Sequence, residues 1–197
     1  VSDAGMPLVS DPGYRLVADC VANEIPVTAI PGASAVLTAL ALSGLPTDRF
    51  VFLGFLPAKS GERKKLLTEF MNVKATLITF ESPHRIVEAL VDVAGVMNNP
   101  RVAVTRELTK LHEEVLRGTA MEVHEILSTR PSVKGEITLV IAPPEQNTAQ
   151  ASDETIEAAI DEALKSMPAA KAAAGIAKRF DLAKKDIYAR ILARKDE

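Results

Sequence analysis

From Tyr14 to about Ala142, short runs of β-branched and aromatic residues alternate with longer stretches in which apolar positions return every three to four residues. The short runs at 27–30, 50–55, 75–80, 101–105 and 136–142 predict strands, being apolar and bounded by turn residues. Between them, 14–23, 34–42, 62–71, 86–96 and 121–127 carry helical spacing; Ile86, Leu90, Val93 and Met97 form one stripe for burial. Strands alternating with helices predict an α/β fold around a largely parallel or mixed sheet. Leu45-Pro46-Thr47-Asp48-Arg49 interrupts both neighbouring patterns and reads as a domain junction, and the polar, Pro-led PPEQNTAQAS beginning at Pro143 reads as a linker.

Beyond the linker the pattern is helical throughout, at 154–165, 169–179 and 183–194, with Pro168 suited to a first helical position. Residues 153–162 hold five acidic groups and no basic one, whereas 165–195 hold nine Lys/Arg against Asp181 and Asp186. A helix, a three-residue turn and a basic helix resemble a helix-turn-helix; a three-helix cap with a solvated basic face has the same pattern. The expected division is 1–48, 49–143, a linker at 144–152, and a helical tail at 153–197.

Composition narrows the field. The 197 residues are 47% hydrophobic and 25% charged, which excludes wholesale disorder, and no apolar run is long enough to span a membrane. A net charge of −3 confines any nucleic-acid contact to a local patch. Aromatic residues are only 4%, which argues against base-stacking platforms. The lone Cys20 can form no internal disulfide and suits a reducing cytoplasm.

Four strand-to-helix junctions carry the candidate chemistry. Ser2-Asp3-Ala4-Gly5-Met6-Pro7-Leu8-Val9-Ser10-Asp11-Pro12-Gly13 packs Gly, Pro and two Ser-Asp pairs ahead of a helix, where backbone can approach a ligand closely; two consecutive tight turns would look the same. Pro31-Gly32-Ala33-Ser34 repeats the arrangement. In Phe80-Glu81-Ser82-Pro83-His84-Arg85, Ser82 suits an N-cap and Pro83 a first helical residue, so His84 and Arg85 project from a helix start. The run from Thr105 to Glu114 is dense in charge and suits either a phosphodiester contact or a solvated loop of weak ion pairs. His112, Glu113 and Glu114 lack zinc-motif spacing, so no metal is expected, and His124 is expected to be merely exposed.

In this order and spacing, SDAGMPLVSDPGY, IPGASAV, LPTDRFVFLGFLP, FESPHRI, VTRELTKLHEEVLRG and KGEITLVI resemble the tetrapyrrole-methylase-type (class III) S-adenosylmethionine methyltransferases. LPTDRFVFLGFLP and FESPHR single out a branch that methylates the ribose 2′-hydroxyl of a cytidine in the decoding region of 16S rRNA. The basic tail is similar to that branch's C-terminal extension. The resemblance implies two α/β lobes with S-adenosylmethionine in the cleft between them, a homodimer, and no membrane association. Carried over by motif, cofactor contacts fall on Ser2, Asp3, Ala4, Gly5, Pro7, Ala33, Ser34, Phe80, Glu81, Arg106, Glu107, Leu108, Gly135, Glu136 and Ile137. Glu107, Arg106, His84 and Lys110 are the catalytic candidates, and Arg85, Lys184, Lys185 and Arg190 the RNA-binding ones. Met6 stands where a smaller hydroxyl residue is expected, and Ala183 where a Ser or Thr N-cap is.

The family places a further half-sheet before the Ser2 loop, so the first lobe is expected to be truncated, leaving 27–30 without strands to pair. Two other readings remain open: a class III methyltransferase acting on a small molecule, and a non-enzymatic nucleic-acid-binding protein led by the tail.

Overall fold

The computed structural model describes residues 5–10, 12–144, 153–165, 167–180 and 182–193, in two compact units, Val1–Pro144 and Glu145–Glu197. The first contains helices α1 (Tyr14–Ala22), α2 (Ala35–Ser43), α3 (Ser60–Phe70), α4 (Ile86–Val96) and α5 (Ala120–Ser128). Its five strands are β1 (Phe50–Phe55), β2 (Thr76–Glu81), β3 (Arg101–Arg106), β4 (Glu114–Thr119) and β5 (Ile137–Ile141). They form one mixed sheet in the order β1-β2-β5-β3-β4, in which only the β1–β2 pair is parallel.

Alternation along the strands assigns the two faces. Leu77, Val102, Val104, Leu139 and Ile141 point to the face covered by α3, α4 and α5, where the predicted α4 stripe buries Ile86, Leu90 and Val93 completely. Ile78, Ala103 and Val140 point to the other face, where they meet Val36, Ala39 and Leu40 of α2. α2 is apolar nearly all round, and Ser34 caps it by accepting a hydrogen bond from the Leu37 N–H at 3.4 Å. At α5, Thr119 and Glu122 form a reciprocal capping box.

Two strand expectations change. Residues 27–30 form no ladder: a strand needs a hydrogen-bonding neighbour, no described strand runs alongside, and Ile30 stays 83% exposed. α1 likewise buries none of its residues. Conversely, Glu114–Thr119, too charged to announce itself, is a strand because it pairs in register with all of β3. Two local details differ as well. The Arg85 and Ile86 N–H groups both donate to the Ser82 carbonyl, closing a tight turn over 82–85, so α4 begins at Ile86 rather than at Pro83. His124 is half-buried, its Nδ1–H donating to the Val87 carbonyl at 3.1 Å and tying α5 to α4, rather than merely exposed.

The second unit contains α6 (Asp153–Leu164), α7 (Ala169–Phe180) and α8 (Lys184–Ala193), packed around Ile156, Ile160, Ala172, Ile176, Ile187 and Ile191. Pro168 sits one place earlier than expected, at the cap, where its carbonyl accepts from Lys171 and Ala172. Most of the expected linker, 145–152, lies outside the described residues. Among the described residues no helix is long and apolar enough to cross a membrane.

One buried ion pair fixes the loop after β1. Arg63, 1% exposed, donates through Nε and Nη2 to Asp92 Oδ2, both at 2.6 Å, and through Nη1 to the Pro57 and Ala58 carbonyls. Ser60 Oγ donates to the other Asp92 oxygen at 3.0 Å. A buried guanidinium that loses its carboxylate cannot regain water, so Asp92→Ala should cost about 3–5 kcal/mol, read as a lower urea midpoint.

Candidate active site

Because β5 runs antiparallel between β2 and β3, its beginning meets their ends. Glu81 pairs with Ile137, Ile137 with Arg106, and Arg106 with Glu114, so four strands place one residue each on a single row at one edge of the sheet. The loops gathered there hold the charge that the sequence singled out. A cavity of about 400 Å³ opens at this edge, lined by Phe55, Phe80, Glu81, Ser82, Pro83, Gly135, Glu136, Ile137 and Thr138, with Val9, Ser10 and Ala35 opposite. That volume falls within the range of small-molecule sites.

Glu81 lies wholly buried at the end of β2. Its Oε1 accepts from the Ser82 N–H at 2.6 Å and from Arg85 Nε at 2.9 Å and Nη2 at 2.7 Å, while Oε2 is buried with no partner. One carboxylate oxygen thus holds the turn and Arg85, and the other is left unpaired.

Glu107 and Gly135 interlock. The Glu107 carboxylate accepts from the Glu136 N–H at 2.9 Å and from Lys110 Nζ at 3.0 Å, and the Glu107 N–H donates to the Glu136 carbonyl. These bonds, the backbone one first, hold its pKa below the ordinary 4.5; Glu107 first, and then the Glu136 carboxylate at 3.1 Å, raise that of Lys110. A Cβ on Gly135, at φ +94°, would lie 2.4 Å from Glu107 Cγ, so only glycine lets the two loops approach this closely. Glu107 itself has φ +52° and Thr109 +64°, strained values for side-chain-bearing residues.

Beside it, Glu114 takes both oxygens to Arg130, at 2.6 and 2.8 Å, and accepts from Arg106 Nε at 3.1 Å. Arg106 Nη1 continues to the Lys134 carbonyl at 3.2 Å. The two guanidinium groups, Arg130 foremost, hold the Glu114 carboxyl at a pKa of about 2.

The predicted site residues therefore separate by role. Phe80, Glu81, Gly135, Glu136 and Ile137 line the cavity, and Glu107 braces it. Arg106 is an internal strut, and Leu108 packs against the α2 cluster. Ser34 spends its hydroxyl on the α2 cap, and with Ala33 it lines a separate, shallower surface beside α2; the neighbouring Ala35 reaches the cavity instead. Gly5 abuts the Ala33 carbonyl, which accepts from the Met6 N–H at 2.8 Å. Met6 Sδ in turn accepts from the Gly32 N–H at 3.2 Å. Pro7 is half-buried in that loop, His84 is exposed on the turn after β2, and Ser2, Asp3 and Ala4 lie outside the described residues. In the second unit Lys184 and Lys185 are exposed at the start of α8, whereas Arg190 lies 3.5 Å from Glu157. Ala183, without a hydroxyl, caps α8 through its carbonyl alone. Sequence reasoning missed Phe55, Thr138 and the Glu114–Arg130 pair; Gly54 inside a strand was the one available signal for Phe55.

Since the folded-state pKa of Glu114 is depressed, its contribution to stability is full above about pH 4.5 and fades as pH falls toward 2. Glu114→Gln should therefore lower stability at pH 7 by at most about 3 kcal/mol. The difference between the two proteins should shrink below pH 4.5 and vanish near pH 2, as measured by denaturant unfolding across that range.

A family model described as Tetrapyrrole (Corrin/Porphyrin) Methylases matches residues 1–124, and one described as the RsmI C-terminal HTH domain matches residues 150–195. The chain is 43% identical over 197 residues to Ribosomal RNA small subunit methyltransferase I of Mesorhizobium japonicum, covering 100% of this chain and 66% of that protein. To the protein of the same name from Halalkalibacterium halodurans it is 49% identical over 142 residues, 72% of this chain and 48% of that one. The chain thus spans about half to two thirds of the length of these curated relatives. Among solved structures, a diphthine synthase is similar at TM-score 0.53 and 16% identity, over 70% of this chain and 57% of that one. The methyltransferase CobJ is similar at 0.52 and 15%, over 71% and 62%. These two likenesses concern the fold alone. With a match that covers more than half of its residues, the chain belongs to the tetrapyrrole (corrin/porphyrin) methylase family.

Proposed function

We propose that this chain transfers a methyl group from S-adenosylmethionine to the ribose 2′-hydroxyl of a cytidine in the decoding region of 16S rRNA, acting as a homodimer in the cytoplasm. The cavity at the common edge of β2, β5 and β3 carries this reading: it is of small-molecule size, and one of its walls is backbone laid bare at Gly135. The relatives named as small-subunit rRNA methyltransferases support the substrate. The division of the first unit into a first-lobe segment, 1–48, and a second lobe, 49–143, belongs to the same proposal and is supported by all five strands among the described residues lying in the latter.

The residues present suit the cofactor. Gly135 brings a stretch of backbone without a side chain to the cavity, Phe80 an apolar wall, and the spare Glu81 oxygen an acceptor for a hydroxyl or amino hydrogen. When bound, S-adenosylmethionine supplies a methyl group already activated on a sulfonium, so catalysis consists mainly in positioning. Glu107, held ionised by Glu136 and Lys110, keeps the 107–113 loop against the wall rather than being free to take a proton. Arg85, oriented by Glu81, and the exposed His84 stand where an anionic RNA backbone would arrive, and Lys184 and Lys185 add phosphate contacts from the second unit.

Calorimetry should give micromolar affinity for both S-adenosylmethionine and S-adenosylhomocysteine, and Gly135→Ala should weaken both by about tenfold or more, since the new Cβ must displace Glu107. Equal affinity in that variant would remove the 135–137 wall from the cofactor site. Reversing charge at Lys184 and Lys185 should flatten the salt dependence of RNA binding by a log–log slope of about 1.4–1.8, with methyl transfer to small subunits reduced in parallel.

A further inference from the structure

The edge strand β1 is irregular at the cavity. Phe50, Val51 and Phe52 pair with Thr76, Leu77 and Ile78, and pairing resumes with Phe55 opposite Phe80. Three residue steps on β1 thus match two on β2, the signature of a bulge, and Gly54 within it has φ +70°. Without the extra residue, Phe52 and Phe55 would face opposite sides of the sheet. With it, both lie against Phe80, at ring-centroid distances of 4.9 and 5.5 Å and interplanar angles of 66° and 62°. Half of the chain's six phenylalanines meet here, at odds with what a low aromatic content leads one to expect.

The three rings do different things. Phe52 and Phe80 pack on the cluster beneath α2, whereas Phe55 takes no part in it, stays 59% exposed and lines the cavity. Burial therefore does not account for it, although a bulge aims it and edge-to-face contact with Phe80 holds it. The turn after the neighbouring strand carries the exposed His84 and the pre-oriented Arg85.

We infer that Phe55 is the stacking platform for an unpaired nucleobase of the RNA substrate at the mouth of the cavity. The inference rests on the proposed rRNA methyl transfer and names the residue that holds the substrate's base. An RNA base fits the exposed ring better than the cofactor's adenine does, because the Arg85 guanidinium and the His84 ring on the adjacent turn would meet the phosphates flanking that base, while Phe80 and Ile137 wall the cavity itself. Gly54→Ala probes the aim of the ring without steric interference, since nothing lies within 4 Å of the added Cβ and only the backbone must change.

The test is titration of the chain into a single-stranded RNA oligonucleotide carrying 2-aminopurine, whose emission falls when the base stacks. Phe55→Leu should weaken binding about 5- to 100-fold and abolish the quenching, Phe55→Trp should preserve both, and Gly54→Ala should shift in the same direction as Phe55→Leu. Because Phe55 also borders the cavity, the reading is comparative: in Phe55→Leu and Gly54→Ala, affinity for S-adenosylmethionine should fall by less than affinity for the RNA does. Quenching and affinity in Phe55→Leu equal to the unsubstituted chain would overturn the inference, as would no quenching by the unsubstituted chain. So would a loss confined to S-adenosylmethionine, which would give the ring to the cofactor's adenine. Stacking that persists without any methyl transfer would instead tell against the proposed reaction.

Discussion

β5 hydrogen-bonds on both sides, to β2 from Leu77 to Glu81 and to β3 from Val102 to Arg106, and all five of its side chains are buried. As the last strand of its unit in sequence, it is inserted antiparallel between two strands that run the other way. That insertion brings the 134–136 turn, more than fifty residues after Glu81, to the place where β2 and β3 end. A parallel strand there would carry the turn to the opposite edge, and neither the Gly135–Glu107 interlock nor the cavity could form.

The same edge would expose a row of strand-end amides and carbonyls among many charges, and the structure resolves this by local pairing. Glu81 satisfies the Ser82 amide and Arg85, Glu107 the Glu136 amide and Lys110, and Glu114 both Arg106 and Arg130. The value of these pairs is geometric: each ties a loop to a strand end, so the wall of the cavity is built from braced turns. The oxygen that escapes this pairing, Glu81 Oε2, is buried without a partner in a residue that lines the cavity.

Two glycines shape this edge through their backbones. Gly135 allows close approach between loops, and Gly54 supplies the left-handed turn of a bulge that changes which way an aromatic ring faces. Neither acts through a side chain, so the geometry of the site depends on backbone conformation as much as on functional groups.

The chain's own pattern determined the strands β1, β2, β3 and β5, the α4 stripe and the helical tail, because periodic burial is written residue by residue. The resemblance of its motifs to the family also picked out Phe80, Glu81 and Gly135 to Ile137 as cofactor contacts, and all of them line the cavity. The pattern could not decide pairing. The apolar run 27–30 looks like a strand and lacks a neighbour, while charged Glu114–Thr119 becomes one because β3 offers it a full ladder. Nor could it assign Arg106 and Ser34, whose polar groups are spent on Glu114 and on a helix cap, or aim Phe55, whose direction hangs on one inserted residue. Local sequence specifies which faces are apolar and where the chain turns. Which groups meet across 26 or 29 residues of chain, as Lys110 with Glu136 or Glu107 with Glu136 do, is set only when the strands choose their order.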